Sequence, residues 1–331
     1  MKPSGTLLLT RQEIAKLLSV EECIDGVEQA FKLYGEGKTA PPGILGMHAQ
    51  DGGFHLKAAM LTLNRNYFAV KVNGNFFQNM KRFNLPNIQG IIMLCDGENG
   101  YPLALMDSID ITIKRTGAAT AVAAKYLARP EAKILTICGC GNQGRISACA
   151  IHKVRPLERV LAFEVDENQA QRFATELSDE LGFKVEAVRD LTKAVSKSDI
   201  CVTCTPSQKF YLRKTDVSPG TFIAAVGADS EDKQELEPAL LASCKVVVDI
   251  LDQCATIGEL HHALKEGAMN RDDVHAELGE IIAGKKPGRV SPDEIIIFDS
   301  TGTALQDVAA AATVYEKAIT AGAGVTLNFF D

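Results

Sequence analysis

Apolar residues recur in two rhythms along the chain, and the rhythm changes near its middle. Between residues 22 and 34, Cys23, Ile24, Val27, Ala30 and Phe31 have helical spacing, and Ser19-Val-Glu-Glu22 forms a capping box at the start. Gly35 and Gly37 end that helix, and the Pro41-Pro42-Gly43 region through Gln50 reads as irregular. Strands are predicted over residues 54–61, 67–73 and 90–96, and a turn at Gly97-Glu-Asn-Gly100 leads into another over 101–106. Strands in a run with few helices predict a separate, mainly antiparallel domain. Residues 116–128 are alanine-rich and helical, with side chains small enough for close packing.

Beyond Lys133 the rhythm becomes strand, helix, strand. Strands are predicted over 134–138, 159–164, 184–188, 200–205, 221–226, 245–251 and 294–298. Helices are predicted over 146–153, 168–181, 191–196, 257–267 and 274–283, and a final alanine-rich helix over 305–321 could return to the first domain. This is the βαβ order of an open parallel sheet. The predicted fold class is therefore α/β, a Rossmann-type parallel-sheet domain beside an α+β domain.

Composition narrows the function. At 331 residues and 46% hydrophobic content the chain can bury a large core in two domains. A net charge of −7 argues against nucleic acid or an anionic membrane as partner, and no apolar run has the length of a membrane span. The N-terminal stretch through Thr10 has three leucines where a signal peptide needs a longer apolar block. Most of the nine cysteines lie inside apolar runs, as reduced buried thiols do, so a cytoplasmic location is expected. Cys201-x-x-Cys204 sits in a strand pattern and reads as core. Glu259 with His261-His262 resembles a ligand cluster, but adjacent helix positions diverge, and no metal is expected.

The strongest chemical signal is Cys138-Gly-Cys-Gly-Asn-Gln-Gly144, which follows a buried-strand pattern and precedes a helix. Gly139 permits the turn, Gly141 leaves room for a pyrophosphate, and Gly144 lets the helix pack on the sheet. Glu164 ends the next strand roughly 20 residues on, where an acid holds the ribose hydroxyls of a dinucleotide. Neither Lys nor Arg occurs from Glu164 through Gln171, which favours NAD over NADP as cofactor.

Several stretches together resemble the ornithine cyclodeaminase/mu-crystallin family: Phe68-Ala-Val-Lys-Val-Asn73, Leu85-Pro-Asn87, Thr112-Ile-Lys-Arg-Thr-Gly-Ala-Ala119, the glycine loop, Val226-Gly-Ala-Asp229 and Asp299-Ser-Thr-Gly302. The resemblance spans nearly the whole chain. It implies a homodimer with a discontinuous dimerisation and substrate domain, residues 1–118 with 308–331, and an NAD-binding Rossmann domain over 119–307. It also implies Lys71 on the substrate carboxylate, Arg115 between substrate and cofactor, and Asp229 as catalytic acid/base. Asn142, Gln143, Thr205, Val226, Gly227, Lys233 and Ser300 are expected beside Glu164 at the cofactor, with Asn87 as an addition.

Read without the resemblance, Lys71 alternates with Val70 and Val72 and would be a solvated strand residue, while Arg115 could pair with an acid at a domain junction. The chain also departs from the cyclodeaminase pattern. Near Gly43 it lacks an arginine that helps hold ornithine, and Phe54-His-Leu-Lys-Ala58 stands where an acid and Leu-Met-Pro are expected. Lys57 could replace the missing cation, with His55 in the place of the acid. Together these readings imply an NAD(P)H-dependent oxidoreductase. Its substrate would be a small imino acid such as pyrroline-2-carboxylate, or an amino acid and its 2-oxo acid. The alternative is ornithine cyclodeaminase, which forms proline and ammonia with NAD used catalytically.

Overall fold

Strand alternation in the first third builds β1 (Thr6–Leu9), β2 (Gly43–Ala49), β3 (Gly52–Thr62), β4 (Asn66–Asn75), β5 (Ile88–Asp96) and β6 (Pro102–Asp107). Helices α1 (Arg11–Leu17), α2 (Val20–Gly35), α3 (Asn79–Phe83) and α4 (Ile109–Leu127) lie among and after them. The computed structural model describes residues 5–329. Residues 1–4 of the leucine-containing N-terminal stretch, and residues 330–331, lie outside the described residues. The chain divides into two units, residues 1–115 with 303–331, and residues 116–302. Both cuts fall slightly before the expected boundaries, because Arg115 bonds Gln306 and Asp307 inside the first unit.

The second unit continues through β7 (Ile134–Cys138), α5 (Asn142–Val154), β8 (Arg159–Phe163), α6 (Glu167–Leu181), β9 (Val185–Val188), α7 (Leu191–Val195) and β10 (Ile200–Thr203). Then come β11 (Gln208–Leu212), β12 (Phe222–Ala225), β13 (Gln234–Leu236), α8 (Pro238–Ala242), β14 (Lys245–Val248), α9 (Leu251–Ile257) and α10 (Glu259–Lys265). The unit closes with β15 (Ala276–Glu277), α11 (Leu278–Ile282) and β16 (Ile296–Asp299). Its main sheet runs β15-β14-β16-β12-β10-β7-β8-β9, and all seven neighbouring pairs are parallel. The order reverses at β7, where the chain leaves toward β8 on one side and β10 on the other. Such a reversal opens a crevice beyond the carboxyl ends of the strands.

Two helix predictions need correction. The helix expected over 257–267 is broken at Gly258, which ends α9 and caps α10. A Cβ there would lie 2.6 Å from Asp299 Oδ2, so the break serves a buried acid. Of the helix expected over 274–283, only α11 forms, because Ala276 and Glu277 pair with β14 as an edge strand.

The chain then returns to the first unit as α12 (Ala304–Ala321) and β17 (Val325–Leu327). Its sheet runs β17-β1-β6-β5-β4-β3-β2; β1 and β6 are parallel and the other neighbours antiparallel. The region expected to be irregular before Gln50 is thus an edge strand, β2, paired with β3 in continuous register. Its glycines at 43 and 46 and its exposure on both faces hid the alternation.

Helices α2 and α12 pack together, and α12 lies against β3, β4 and β5. Capping follows the sequence: Ser19 and Glu22 form a capping box on α2, Thr303 caps α12, and Gly322 ends it with φ 62°. Which face of β4 is buried is the opposite of the plain reading. Tyr67, Ala69, Lys71 and Asn73 are buried beneath the helices, whereas Val70 and Val72 point to a face where Phe54, Met60 and Ile91 are exposed. Lys71 is therefore no solvated strand residue.

Ala309 of α12 is fully buried, and its Cβ is 3.8 Å from where a Cβ on Gly26 of α2 would lie. Ala309→Leu is expected to overpack this seam and cost about 1–3 kcal/mol. The check is the urea midpoint, and an unchanged midpoint would contradict so close a contact.

Candidate functional site

In the first unit the strand register sets basic residues in one row. Lys57 of β3 lies directly opposite Lys71 of β4, which in turn faces Ile92 of β5. Like charges directly opposite on one sheet face repel each other, and both are buried, Lys57 at 8% and Lys71 at 3% exposure. The adjoining row brings His55 opposite Asn73, whose Oδ1 accepts from Ser108 Oγ at 2.7 Å.

Asp307, one turn into α12, answers this row. Lys71 Nζ lies 2.9 Å from its Oδ1 and 2.8 Å from its Oδ2, and Arg115 Nε donates to Oδ1 at 3.1 Å. Arg115 Nη1 donates to Gln306 Oε1 at 2.9 Å, and Lys71 also reaches Thr112 Oγ1 at 3.4 Å. Burial pushes the Lys71 ammonium down to about 7; Asp307 opposes that shift, and Arg115 and Lys57 add to it. Burial alone would raise Asp307, yet Lys71, Arg115 and Lys57 hold its carboxyl below the ordinary range. One carboxylate cannot neutralise both of the cations bonded to it. The arrangement is suited to receive a second carboxylate.

In the second unit each glycine of the loop after β7 has its own reason. Gly139 has φ 106°, and a Cβ on it would meet the Cys204 carbonyl oxygen at 2.9 Å. A Cβ on Gly144 would come within 2.3 Å of the Gly139 carbonyl oxygen, so α5 could not start this close to the strand. Gly141 caps α5 without a side-chain hydrogen bond, and a Cβ there would meet nothing within 4 Å. The first-turn N–H groups of Asn142, Gln143 and Gly144 thus begin an uncapped helix of 13 residues. Glu164, just past β8, accepts from Cys140 N at 3.1 Å and from Val165 N at 2.9 Å, which puts its carboxylate against the glycine loop. Asn142 is exposed, and Gln143 is half-buried with Oε1 lacking a hydrogen-bond partner among the described residues.

The loops after β10 and β12 are held by an acid that sequence reasoning missed. Glu235 is fully buried, and its Oε1 accepts from Thr205 N at 2.6 Å, Thr205 Oγ1 at 2.7 Å and Tyr211 Oη at 2.8 Å. Its Oε2 accepts from Gly227 N at 3.1 Å, and a Cβ on Gly227 would collide with that oxygen. Burial raises the Glu235 carboxyl, while the bonds from Thr205 and Tyr211 pull the other way. Val226 and Gly227 lead from β12 to Asp229, which is half-exposed and receives Lys233 Nζ at 2.6 Å. Lys233, expected at the cofactor, is thus bonded to the expected catalytic acid. Ser300 Oγ donates to Asp249 at 3.3 Å and is likewise engaged within the protein.

Asn87 lies in the first unit, where its Oδ1 accepts from Met80 N at 3.1 Å and its carbonyl accepts from Phe76 N at 2.8 Å. It orders the turn around α3. Cys201 is buried in β10, and Cys204 Sγ lies 3.3 Å from the Cys138 and Gly139 carbonyl oxygens. Glu259 accepts from Glu235 N and Leu236 N, and His262 Nε2 contacts the Lys233 carbonyl oxygen at 2.8 Å. Among the described residues no three His, Cys, Asp or Glu side chains group as a metal site. Asp307 left one trace in the sequence, an acid among Ala304, Leu305, Val308 and Ala309 in the apolar first half of a helix. Glu235 left none, being the central residue of a three-residue strand.

Residues 4–322 match the model of the ornithine cyclodeaminase/mu-crystallin family. An archaeal alanine dehydrogenase, solved as a dimer with bound NAD, superposes with a TM-score of 0.94 at 38% identity over 98% of this chain and all of that one (100%). The Δ1-pyrroline-2-carboxylate reductase of Thermococcus litoralis, in complex with NADH and L-proline, gives 0.92 at 35% identity over 97% and 100% of the two chains. The iminosuccinate reductase of Paracoccus denitrificans, in complex with NAD+, gives 0.91 at 32% identity over 98% and 100%.

Replacing Asp307 by Asn would leave two buried cations without their shared counter-ion. The loss is expected to be about 3 kcal/mol, since breaking a buried pair strands a charge. Equilibrium urea unfolding checks this, and a loss below about 1 kcal/mol would mean that Asp307 is not the counter-ion of both.

Proposed function

The chain belongs to the ornithine cyclodeaminase/mu-crystallin family, and on that premise we propose an oxidoreductase that uses NAD(H) to reduce a small imino acid to the amino acid. The observation that carries this reading is the buried pair Lys71 and Arg115 sharing Asp307. Two cations around one acid favour a substrate with a carboxylate of its own, as an α-imino acid has. The relatives named above act on such molecules or on alanine. Pyrroline-2-carboxylate and the alanine/pyruvate/ammonia system are the first substrates to consider.

The residues of the second unit fit a dinucleotide. Gly141 leaves its side open, the uncapped start of α5 offers N–H groups to a pyrophosphate, and Glu164 offers a carboxylate to a ribose. NAD in its reduced form, when bound, supplies the hydride. Thr205, Gly227 and Ser300 act there through the loops that Glu235 and Asp249 hold, and Asn142, Gln143, Val226 and Lys233 line the same crevice.

Substrate chemistry falls to Lys71, Arg115 and Asp229. Lys71 and Arg115 bind the carboxylate and orient the imine carbon, with Lys57 adding positive potential and His55 limiting the side chain. Asp229 keeps a proton on the imine nitrogen during reduction and removes it from the ammonium group in the reverse direction. The exposed apolar face of the first unit, with Leu45, Met47, Phe54, Met60 and Ile91, serves as the interface of a homodimer. No helix among the described residues is long and apolar enough to cross a membrane.

A spectrophotometric assay with pyrroline-2-carboxylate, or with pyruvate and ammonia, is expected to show stoichiometric loss of NADH. Asp229→Asn is expected to lower kcat by about 100-fold or more, the usual worth of a positioned proton shuttle. Ammonia and proline released from ornithine at constant NADH would instead identify a cyclodeaminase and overturn the proposal.

The Lys71 shift gives a second expectation. Below pH 7 the ammonium is already formed and receives the carboxylate directly. Above about 7 the free enzyme holds Lys71 neutral, so binding must take up a proton and weakens as pH rises. KM is expected to climb by up to about tenfold per pH unit above neutrality. Lys71→Arg, which stays charged, is expected to flatten that rise. A pH profile of KM unchanged by the substitution would show that Lys71 does not titrate at the site.

A further inference from the structure

Far from the glycine loop, at the amino ends of the parallel strands, a cleft of about 360 Å³ is lined by Arg129, Arg155, Arg289, Lys125, Glu131 and Ser291. Arg129 precedes β7, Arg155 precedes β8, and Arg289 precedes β16, so three separate crossovers deliver a guanidinium to one place. The glycine loop follows the carboxyl end of β7, a strand of five residues. At about 3.3 Å per residue the two regions are about 17 Å apart.

Two of the three guanidinium groups are held in place but not neutralised. Arg155 donates from Nη2 to the Lys125 carbonyl oxygen at 2.6 Å and from Nη1 to the Val154 carbonyl oxygen at 3.0 Å. Arg289 donates from Nε to the Leu127 carbonyl oxygen at 2.8 Å and from Nη1 to the Glu294 carbonyl oxygen at 2.5 Å. Neither makes an ion pair among the described residues. Arg129, by contrast, is paired with Asp199, and Glu131 lies 4.0 Å from its Nε. Glu294, the carboxylate acting most on Arg289, is itself bridged to Lys245 at 2.5 Å.

Capping the last carbonyls of α4 explains part of this arrangement, since cations favour a helix C-terminus. It does not explain three arginines. A guanidinium has five N–H donors, and the two caps use only part of them. Arg129 Nε, Arg155 Nε and Arg289 Nη2 are buried and find no acceptor among the described residues. Burial works against the charge of Arg155 and of Arg289, and Arg129 adds repulsion at Arg289. A chain with net charge −7 has thus gathered three arginines in one cleft, and of these only Arg129 is ion-paired among the described residues.

We propose that this cleft binds a small phosphate-bearing anion, gripped by the guanidinium groups of Arg155 and Arg289 with Arg129 at its side. Two guanidinium charges that make no ion pair among the described residues match a dianion, and the planar fork of arginine matches phosphate oxygens two at a time. The backbone bonds that fix Arg155 and Arg289 orient them before the ligand arrives.

The test uses the full-length protein and inorganic pyrophosphate at constant ionic strength. Calorimetric titration is expected to show binding, weakened about tenfold or more in Arg155→Gln/Arg289→Gln, which loses two charge-assisted contacts. Gly141→Val, which obstructs the glycine loop, is expected to leave this binding in place. In the wild-type protein, pyrophosphate is expected to protect Arg155 and Arg289 from phenylglyoxal, read by mass spectrometry. That measurement holds even where the double variant does not fold. No binding and no protection at about 10 mM, an affinity weaker than about 3 kcal/mol, would overturn the proposal. Loss of binding in Gly141→Val alone would also overturn it, by placing the ion at the glycine loop.

Discussion

Asp307 is the constraint on which the first unit depends. The sheet buries Lys71 beneath α12, α4 brings Arg115 to the same place, and neither cation could stay there without an acid. Removing charges from water costs several kcal/mol each unless the geometry returns it. The acid comes from 236 residues further along the chain than Lys71. The N-terminal segment therefore cannot complete its own core. The chain has to leave, build the parallel sheet, and come back as α12. Discontinuity is in this sense a consequence of electrostatics as well as of packing.

The second unit solves a related problem with carboxylates that receive backbone N–H groups. Asp299 at the end of β16 accepts from Glu259 N and Leu260 N and so fixes the start of α10. Glu259 accepts from Glu235 N and Leu236 N and so fixes β13. Glu235 then ties Thr205 to Gly227. Three buried acids thus run from the last strand of the unit to the two loops beyond β10 and β12. Burial raises the Asp299 carboxyl to about 7, with Asp249 adding to the rise and the N–H groups of Leu260 and Glu259 opposing it. Buried acids held by amide donors make rigid joints, and these joints fix the loop that leads to Asp229. Asp229 lies only two residues beyond Gly227.

Much of this was legible in the sequence, for identifiable reasons. The glycine loop, the strand-ending Glu164 and the alternation of β7 through β16 are local signals, and each requires only neighbours in sequence. Lys71 could be singled out only through a motif, because alternation alone assigned it to the wrong face. The rule that polar residues face water fails on a sheet whose other face is apolar and exposed. Asp307, Glu235 and the arginine cleft depend on pairings across many residues, and no periodicity encodes those. An acid inside an alanine-rich helix was the one sign available, and it reads as a surface residue until the first half of that helix is known to be buried on every side.

The basic row of β3 and β4 also bears on why the site uses lysines. Lys57 directly opposite Lys71 is unfavourable in the free protein, and Arg115 adds to the repulsion. A lysine can lose its proton when buried, whereas an arginine cannot. Lys71 near neutrality lets the protein shed part of its excess charge. An arginine in its place would hold the charge permanently and strain the fold throughout. The same groups that make the first unit less stable than an apolar core would are those that give a small anion a reason to bind. Stability is surrendered at Lys57, Lys71 and Arg115 and partly restored by Asp307.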